Sequence, residues 1–477
     1  MTIEFGTDGW RAVISDTFTF ENLRLVSQAA ADYLLDKTTG DNTPEVVIGF
    51  DTRFLSDRYA AEVAKVMAGN GIIAWLTRAD APTPAISYNV VHKKADLGVM
   101  ITASHNPPRY NGFKLKTDYG GSATKQQTHR VAQHLVKNEK SGKMPKLMAY
   151  EEALRQNLIR RFDPAWSYYE HLTTKLINLD TISARELSVV ADGMYGSGRG
   201  TFGEVLSRTR TRVLNIRSEM NPGFGGIHPE PIAKYLRELA ATVKSTHAHI
   251  GLATDGDADR IGAVDALGDF VDPHHIMALS LRYLVEKRGW QGAVVKTVST
   301  TLMLNRLAKK YNLPLYETPV GFDRIAELMM TEDVLIGGEE SGGISIKGHI
   351  PEGDGILMGL LLLEVMADAG VSLHELIADL QASVGPTCYQ RTDIKLERSV
   401  PKAEMVDHLA SQAPPTINGE KITSIDTSDG IKFMLADDSW LLIRPSGTEP
   451  VLRVYAEAGD EKAVANILVA GRAMVRL

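Results

Sequence analysis

Three stretches of the chain repeat one plan, and that repeat limits the folds open to it. In each, an apolar run ends in a loop of glycine and polar or acidic residues, helical sequence follows, and a second apolar run ends the same way. In the first stretch, residues 46–50 lead to Asp51-Thr52-Arg53, and 97–101 lead to Thr102-Ala103-Ser104-His105-Asn106-Pro107. In the second, 187–191 lead to Asp192-Gly193-Met194-Tyr195-Gly196, and 250–253 lead to Asp255-Gly256-Asp257-Ala258-Asp259-Arg260. In the third, 293–296 lead to Thr297-Val298-Ser299, and 334–336 lead to Gly337-Gly338-Glu339-Glu340-Ser341-Gly342-Gly343. Continuous apolar runs alternating with helices predict α/β domains with largely parallel sheets.

Breaks in the pattern divide the chain. The polar stretch 137–146, the turn Leu267-Gly268-Asp269 and the pair Gly385-Pro386 predict domains at 1–148, 165–266, 267–383 and 388–477, with a helical connector over 150–172. After Pro386 the character changes. Short strands at 422–425, 431–435 and 440–443, an Asp429-Gly430 hairpin turn and a closing helix from 460 predict a smaller α+β unit.

Composition excludes several classes. A net charge of -7 leaves no nucleic-acid footprint. The single cysteine, Cys388, allows no internal disulfide and suits a reducing cytoplasm. The first residues carry no basic stretch followed by an apolar one, so no secretory leader is expected. The longest apolar run, 356–363, is too short for a membrane span and predicts a buried helix.

The chemistry lies in four loops. Asp255, Asp257 and Asp259 alternate with the small Gly256 and Ala258, which turns three carboxylates the same way and calls for a hard cation such as Mg²⁺. An EF-hand is excluded, because Arg260 and Ala266 stand where it needs glycine and glutamate. Ser104, handed to a loop by a buried strand, lacks the Gly-x-Ser-x-Gly elbow of a hydrolase, and the adjacent His105 is poorly placed as its base. As a phosphoryl carrier, its oxygen would complete the cation shell that three aspartates leave open. In Arg444-Pro445-Ser446-Gly447-Thr448-Glu449-Pro450, a glycine turn, two hydroxyls and a guanidinium form an anion nest for a phosphate that is held rather than transferred. Glu339 and Ser341, among glycines, suit vicinal hydroxyls. Lys114 reads by itself as a surface lysine or a proton shuttle. Gly198-Arg199-Gly200-Thr201-Phe202-Gly203 has dinucleotide-loop spacing, but residues 192–197 separate it from its strand. No P-loop is present.

These four loops, in this order, together with Gly6-Thr7-Asp8-Gly9-Trp10-Arg11, resemble the signature segments of the α-D-phosphohexomutase superfamily over nearly the whole chain. The resemblance implies three alike α/β domains and a smaller α+β C-terminal domain around a central cleft. It also implies Mg²⁺ and a bisphosphorylated sugar intermediate. On this chain it makes Ser104 the phosphorylated residue and, with Asp255, Asp257 and Asp259, a metal ligand. Arg260 steadies the phosphoserine. Lys114 and Arg11 stand near the reacting hydroxyl, Lys114 as general acid/base, and His105 is counted with this catalytic group. Glu339 and Ser341 hold sugar hydroxyls. Arg444, Ser446, Gly447 and Thr448 bind the far phosphate, and Lys296 and the 318–321 turn with Gly321 line the cleft.

Glu339-Glu340-Ser341 is similar to the phosphoglucomutase form, whereas glucosamine mutases usually show Glu-Gln-Ser and bifunctional enzymes Glu-Met-Ser, both followed by Gly-His. Here Gly343 takes the histidine's place. The expected activity is interconversion of glucose 1-phosphate and glucose 6-phosphate in the cytoplasm, primed by glucose 1,6-bisphosphate. A phosphomannomutase, a bifunctional mutase, a bisphosphate synthase and a Mg²⁺-dependent sugar phosphatase are the alternatives. The partner is a small hexose phosphate, with no nucleic acid or membrane, and the sequence says nothing firm about oligomeric state.

Overall fold

The computed structural model describes residues 3–6, 9–38, 42–396, 401–445 and 451–475. The first sheet is built from Gly9–Val13 (β1), Glu45–Phe50 (β2), Ile73–Thr77 (β3), Leu97–Ile101 (β4), Tyr110–Lys116 (β5) and Ile159–Phe162 (β6). The second takes Ser188–Asp192 (β7), Arg212–Ile216 (β8), Ile250–Thr254 (β9), Ile261–Asp265 (β10) and Phe270–Val271 (β11). The third takes Ala293–Thr297 (β12), Leu315–Thr318 (β13), Val334–Gly338 (β14) and Ile344–Ile346 (β15). Within them one four-strand order recurs: β5-β4-β2-β3, β10-β9-β7-β8 and β15-β14-β12-β13. In each, the inner three strands run parallel and the outermost pairs antiparallel with its neighbour.

The sheets are therefore mixed rather than largely parallel. The strands that make them so, 110–116, 261–265 and 344–346, are the returning arms of hairpins. The three hairpin loops, 102–109, 255–260 and 339–343, carry Ser104, the aspartate trio and Glu339. A repeated topology thus delivers three different chemistries from one structural position.

The expected helical connector is broken. Tyr150–Arg155 is helical, but β6 then pairs in parallel with β3 and extends the first sheet before the helix Ala165–His171 begins. The run 356–363 lies within the helix Gly355–Ala369, whose N-terminus is capped by the Asp354 carboxylate accepting from Leu357 N (2.8 Å). That helix is buried as far as Ala367, which explains its apolar surface all round. Among the described residues, no single helix is long and apolar enough to cross a membrane.

The fourth sheet takes Cys388–Lys395 (β16), Thr416–Ile417 (β17), Glu420–Asp426 (β18), Ile431–Leu435 (β19), Trp440–Pro445 (β20) and Val451–Ala458 (β21). It is antiparallel throughout, in the order β16-β21-β20-β19-β18-β17, and the helix Glu461–Met474 packs on it.

The cores show how the units are joined. One continuous apolar cluster runs from Tyr168 through Leu252 and Ile336 to Val384, so the second and third units share a core around the helix Gly355–Ala369. The first and fourth sheets have cores of their own. Among the described residues, a small apolar cluster, Val298 and Leu302 with Trp440, Leu442 and Tyr455, bridges the third and fourth.

Candidate active site

Ser104 is buried at the start of the β4–β5 loop, with a left-handed backbone (φ 51°) that non-glycine residues seldom adopt. Its N–H donates to Thr102 Oγ1 (2.9 Å). Its hydroxyl donates to Asp255 Oδ2 at 2.9 Å, across 151 positions of sequence. His105 Nδ1 lies 3.4 Å from the same oxygen. Burial, then the charges of Arg260 and Arg11, push the His105 imidazole well below its ordinary value, so it is neutral here.

The β9–β10 loop comes close enough to touch the serine loop because residue 256 is glycine. A Cβ there would stand 2.5 Å from the Ser104 carbonyl oxygen. Asp257 is fixed from the first domain by the Thr83 hydroxyl (2.7 Å), and Thr83 N donates to the Asp257 carbonyl (2.8 Å). Lys114, on β5, donates to Asp257 Oδ2 (3.0 Å) and to Asp259 Oδ2 (3.2 Å). The surface-lysine reading of Lys114 is corrected: at 3% exposure its ammonium belongs to the carboxylate cluster. Arg260 N donates to Asp255 Oδ1 (3.3 Å), and its guanidinium lies 3.8 Å from Asp259. Burial opposes the Arg260 charge, but Asp259, Asp255, Glu230 and Glu339 outweigh it and raise its pKa. Arg11, on β1, donates to Asn106 Oδ1 (2.8 Å), which brings it to the same loop.

The three aspartates present oxygens within 4.8 Å of one another. Asp257 Oδ1 and Asp259 Oδ1 are buried without a hydrogen-bond partner among the described residues. Burial, then the neighbouring carboxylates, raises Asp255 well above the carboxylate range. Burial would also raise Asp257, but the Lys114 ammonium and the Thr83 hydroxyl outweigh it and hold that carboxyl far below. Orphaned carboxylate oxygens in an all-oxygen donor set fit a hard cation such as Mg²⁺.

The sugar-loop candidates pack against the far side of the aspartate loop. Ile261 N donates to Gly342 O (3.2 Å), and Gly355 N to Ala258 O (3.1 Å). Glu339 accepts from Gly321 N (2.9 Å), whose φ of 138° only glycine adopts freely. Burial pushes Glu339 up to about 7, against the pull of Arg260. Ser341 is half-buried in the same loop.

Arg444 stands apart from this group, at the end of β20, paired with Asp429 (2.8 Å). Asp429 also binds Lys402 and accepts from Val320 N (2.8 Å), which docks the hairpin turn onto the 318–321 turn. Ser446, Gly447 and Thr448 lie outside the described residues. Lys296, which the resemblance puts in the cleft lining, is fully buried, donates to the carbonyls of Thr300 (3.0 Å) and Thr301 (3.2 Å), and pairs with Glu317 (3.1 Å).

Sequence reasoning missed Thr83, Asn106, Asp429 as the partner of Arg444, and Glu340, whose carboxylate accepts from Arg391 of the fourth sheet (2.9 Å). The partners of Thr83, Asn106 and Glu340 lie 51 to 174 positions away, and Asp429 meets Arg444 only through the hairpin fold of the fourth sheet, so no local spacing announces them.

Comparison with known proteins follows this geometry closely. Family models described as phosphoglucomutase/phosphomannomutase α/β/α domains I, II and III match residues 2–142, 166–268 and 272–384, and the C-terminal domain of that family matches 394–473. A phosphoglucomutase/phosphomannomutase of Thermococcus kodakarensis is 31% identical, covering 98% of this chain and 97% of its own. A "probable phosphoglucosamine mutase" of Pyrococcus abyssi is 32% identical over 99% and 97%. Among solved structures, a Thermus thermophilus protein assigned as a phosphomannomutase superposes with a TM-score of 0.86 at 33% identity, covering 100% of both chains.

Proposed function

The chain belongs to the phosphoglucomutase/phosphomannomutase family of phosphohexomutases, intramolecular phosphotransferases, and from that premise we propose that it interconverts glucose 1-phosphate and glucose 6-phosphate. The observation that carries the reading is the meeting of Ser104 Oγ with Asp255 Oδ2 at 2.9 Å, inside a carboxylate trio with orphaned oxygens.

In this reading Ser104 carries the phosphoryl group. Transfer breaks the bond from phosphorus to Ser104 Oγ and forms one to the free sugar hydroxyl, with Lys114 as the relay: its ammonium gives a proton to the departing Ser104 oxygen and takes back the one the sugar hydroxyl loses. The product of this half-reaction is glucose 1,6-bisphosphate, which also primes the unphosphorylated enzyme. The intermediate turns end for end, and its other phosphoryl group returns to Ser104. Mg²⁺, held by Asp255, Asp257, Asp259 and the serine oxygen, neutralises charge on the phosphoryl oxygens when bound. Arg260 steadies the phosphoserine, Arg11 serves the reacting hydroxyl, and His105 contributes a neutral ring nitrogen. Glu339 and Ser341 orient the sugar by its hydroxyls, near the Gly321 turn. Arg444, with Ser446, Gly447 and Thr448, grips the far phosphate. Burial keeps water from the phosphoserine, which hydrolysis would waste. A cytoplasmic enzyme of sugar-phosphate metabolism fits this reading.

Glu339-Glu340-Ser341 followed by Gly343 supports glucose. A hexosamine phosphate is the second reading, favoured by the name of the Pyrococcus abyssi relative. The test is a panel of glucose, mannose and glucosamine 1-phosphates with Mg²⁺ and matched bisphosphate primers. The proposal expects the highest kcat/KM with glucose 1-phosphate, and a higher value with glucosamine 1-phosphate overturns it. Released inorganic phosphate would instead indicate a phosphatase, and accumulated bisphosphate a synthase.

A further inference from the structure

The Asp51-Thr52-Arg53 segment after β2 takes no part in the reading above, yet it holds the reacting serine. Arg53 is 3% exposed, in the first domain. A guanidinium has five N–H donors in a fixed plane. Here Nε donates to Asp51 Oδ2 (3.0 Å), Nη1 to the carbonyls of Pro107 (2.9 Å) and Tyr110 (3.0 Å), and Nη2 to those of Ser104 (2.5 Å) and Asn106 (2.7 Å). All five hydrogens are thus matched, four of them to the backbone of the segment that carries the nucleophile.

The anchor is itself fixed. Asp51 accepts from the Thr102 hydroxyl (2.7 Å), the Ser56 hydroxyl (2.9 Å) and Arg53 N (2.9 Å). The guanidinium carbon lies 4.9 Å from the Phe224 ring centroid, and the Thr52 hydroxyl donates to Tyr195 O (2.8 Å), so the same segment seats the second domain. Burying a guanidinium is costly unless every donor finds an acceptor. Ser104 has a left-handed backbone of its own, a strain that persists only where the surroundings over-determine it.

We infer that Arg53 is the positioning residue of the phosphoryl-carrying serine: its planar fork, tied to four carbonyls of the 104–110 segment, sets the Ser104 hydroxyl against Asp255. This deepens the mutase reading and rests on it. Lysine cannot take over, because its three donors radiate from one atom and cannot span four carbonyls and a carboxylate.

The experiment compares the full-length enzyme with Arg53→Lys and Arg53→Ala. It measures steady-state kinetics, single-turnover transfer from glucose 1,6-bisphosphate to Ser104, and recovery on adding guanidinium chloride at non-denaturing concentration. Misplacing the nucleophile by a fraction of an ångström predicts a kcat for Arg53→Lys about 100-fold lower, with KM changed by less than about threefold. Guanidinium should raise the transfer rate of Arg53→Ala, while methylammonium should not. A transfer rate for Arg53→Lys within about twofold of wild type, or an Arg53→Ala variant that guanidinium and methylammonium affect equally, overturns the inference.

If neither Arg53 variant folds, Asp51→Asn, which weakens the Nε contact, decides. A lower kcat at unchanged KM supports the inference, and an unchanged kcat refutes it. A wild-type enzyme that takes no phosphoryl group from the bisphosphate would instead sink the mutase reading itself.

Discussion

At the reacting end of the cleft, Ser104, Lys114 and Asp257 are each held by side chains from another domain, and the second and third domains share an apolar core. At the gripping end, Arg444 is half-buried and its carboxylate partner, Asp429, comes from its own sheet. The fourth domain meets the third mainly through polar bonds: Val320 N to Asp429, Arg391 to Glu340, Lys432 to Glu317 (2.9 Å), and the Thr301 hydroxyl and Leu302 N to Glu457. Water can replace such partners at small net cost, whereas separating an apolar core exposes its whole area. In the proposed mechanism this contrast would hold the reacting groups in place while the fourth domain shifts, as an intermediate that turns over between two transfers would need. The glycine at the III–IV junction, Gly385 (φ 89°), suits a hinge there.

This contrast predicts large effects on one side and modest ones on the other. Asp257→Ala removes a carboxylate that holds Lys114 and that, in the proposed mechanism, would hold Mg²⁺, and should lower kcat about 1000-fold. It also strips a buried ammonium of one partner, so thermal unfolding should show a loss of about 3 kcal/mol. Gly256→Ala places a methyl against the Ser104 carbonyl and should cost about 100-fold in kcat with little change in KM, with the serine loop displaced in a crystal structure. A kcat near wild type for either variant would mean that the reacting end is less tightly built than the geometry indicates.

At the other end, Asp429→Asn releases Arg444 from its charge partner and should act mainly on KM. A rise of about tenfold corresponds to one charge-assisted hydrogen bond of about 1.4 kcal/mol. A fall in kcat as large as that of Gly256→Ala would erase the distinction between the two ends.

The smallest effect concerns Glu339. Burial raises its carboxyl from the ordinary 4.5 to about 7. It is ionised above that value, so hexose phosphate KM should rise by a few-fold as pH falls from 8 to 6, the loss of one weak acceptor contact. Glu339→Gln should remove that dependence. Between about pH 4.5 and 7 the native state keeps a proton that the unfolded chain has released. This group's contribution to stability is therefore greatest below the lower value and is lost as pH rises through the upper. The variant's stability should vary less with pH over that window, as urea unfolding at each pH would show.

Much of this was legible in the sequence for a physical reason. Strands buried on both faces must be apolar, and loops that bind ions must be rich in glycine and acids, so 97–101 with Ser104 and 250–254 with the aspartates stood out. The returning hairpin strands did not, because Tyr110–Lys116 mixes apolar residues with Asn111, Lys114 and Lys116, whose side chains are buried against partners from other segments. The same blindness hid Lys114, which looks like a surface residue until Asp257 is brought beside it. Lys296 was named through the resemblance alone, and its partners, Glu317 and two threonine carbonyls, follow from the neighbouring strand and loop rather than from its own spacing. Arg53 was visible only as a strand end, since its acceptors are main-chain oxygens 51 to 57 positions away.

The most direct test of the account is phosphopeptide mapping after incubation with glucose 1,6-bisphosphate and Mg²⁺. One phosphoryl group on Ser104, absent from Ser104→Ala and discharged on adding glucose 1-phosphate with formation of glucose 6-phosphate, is the predicted result. Phosphate on a different residue, or full turnover by Ser104→Ala, would contradict it.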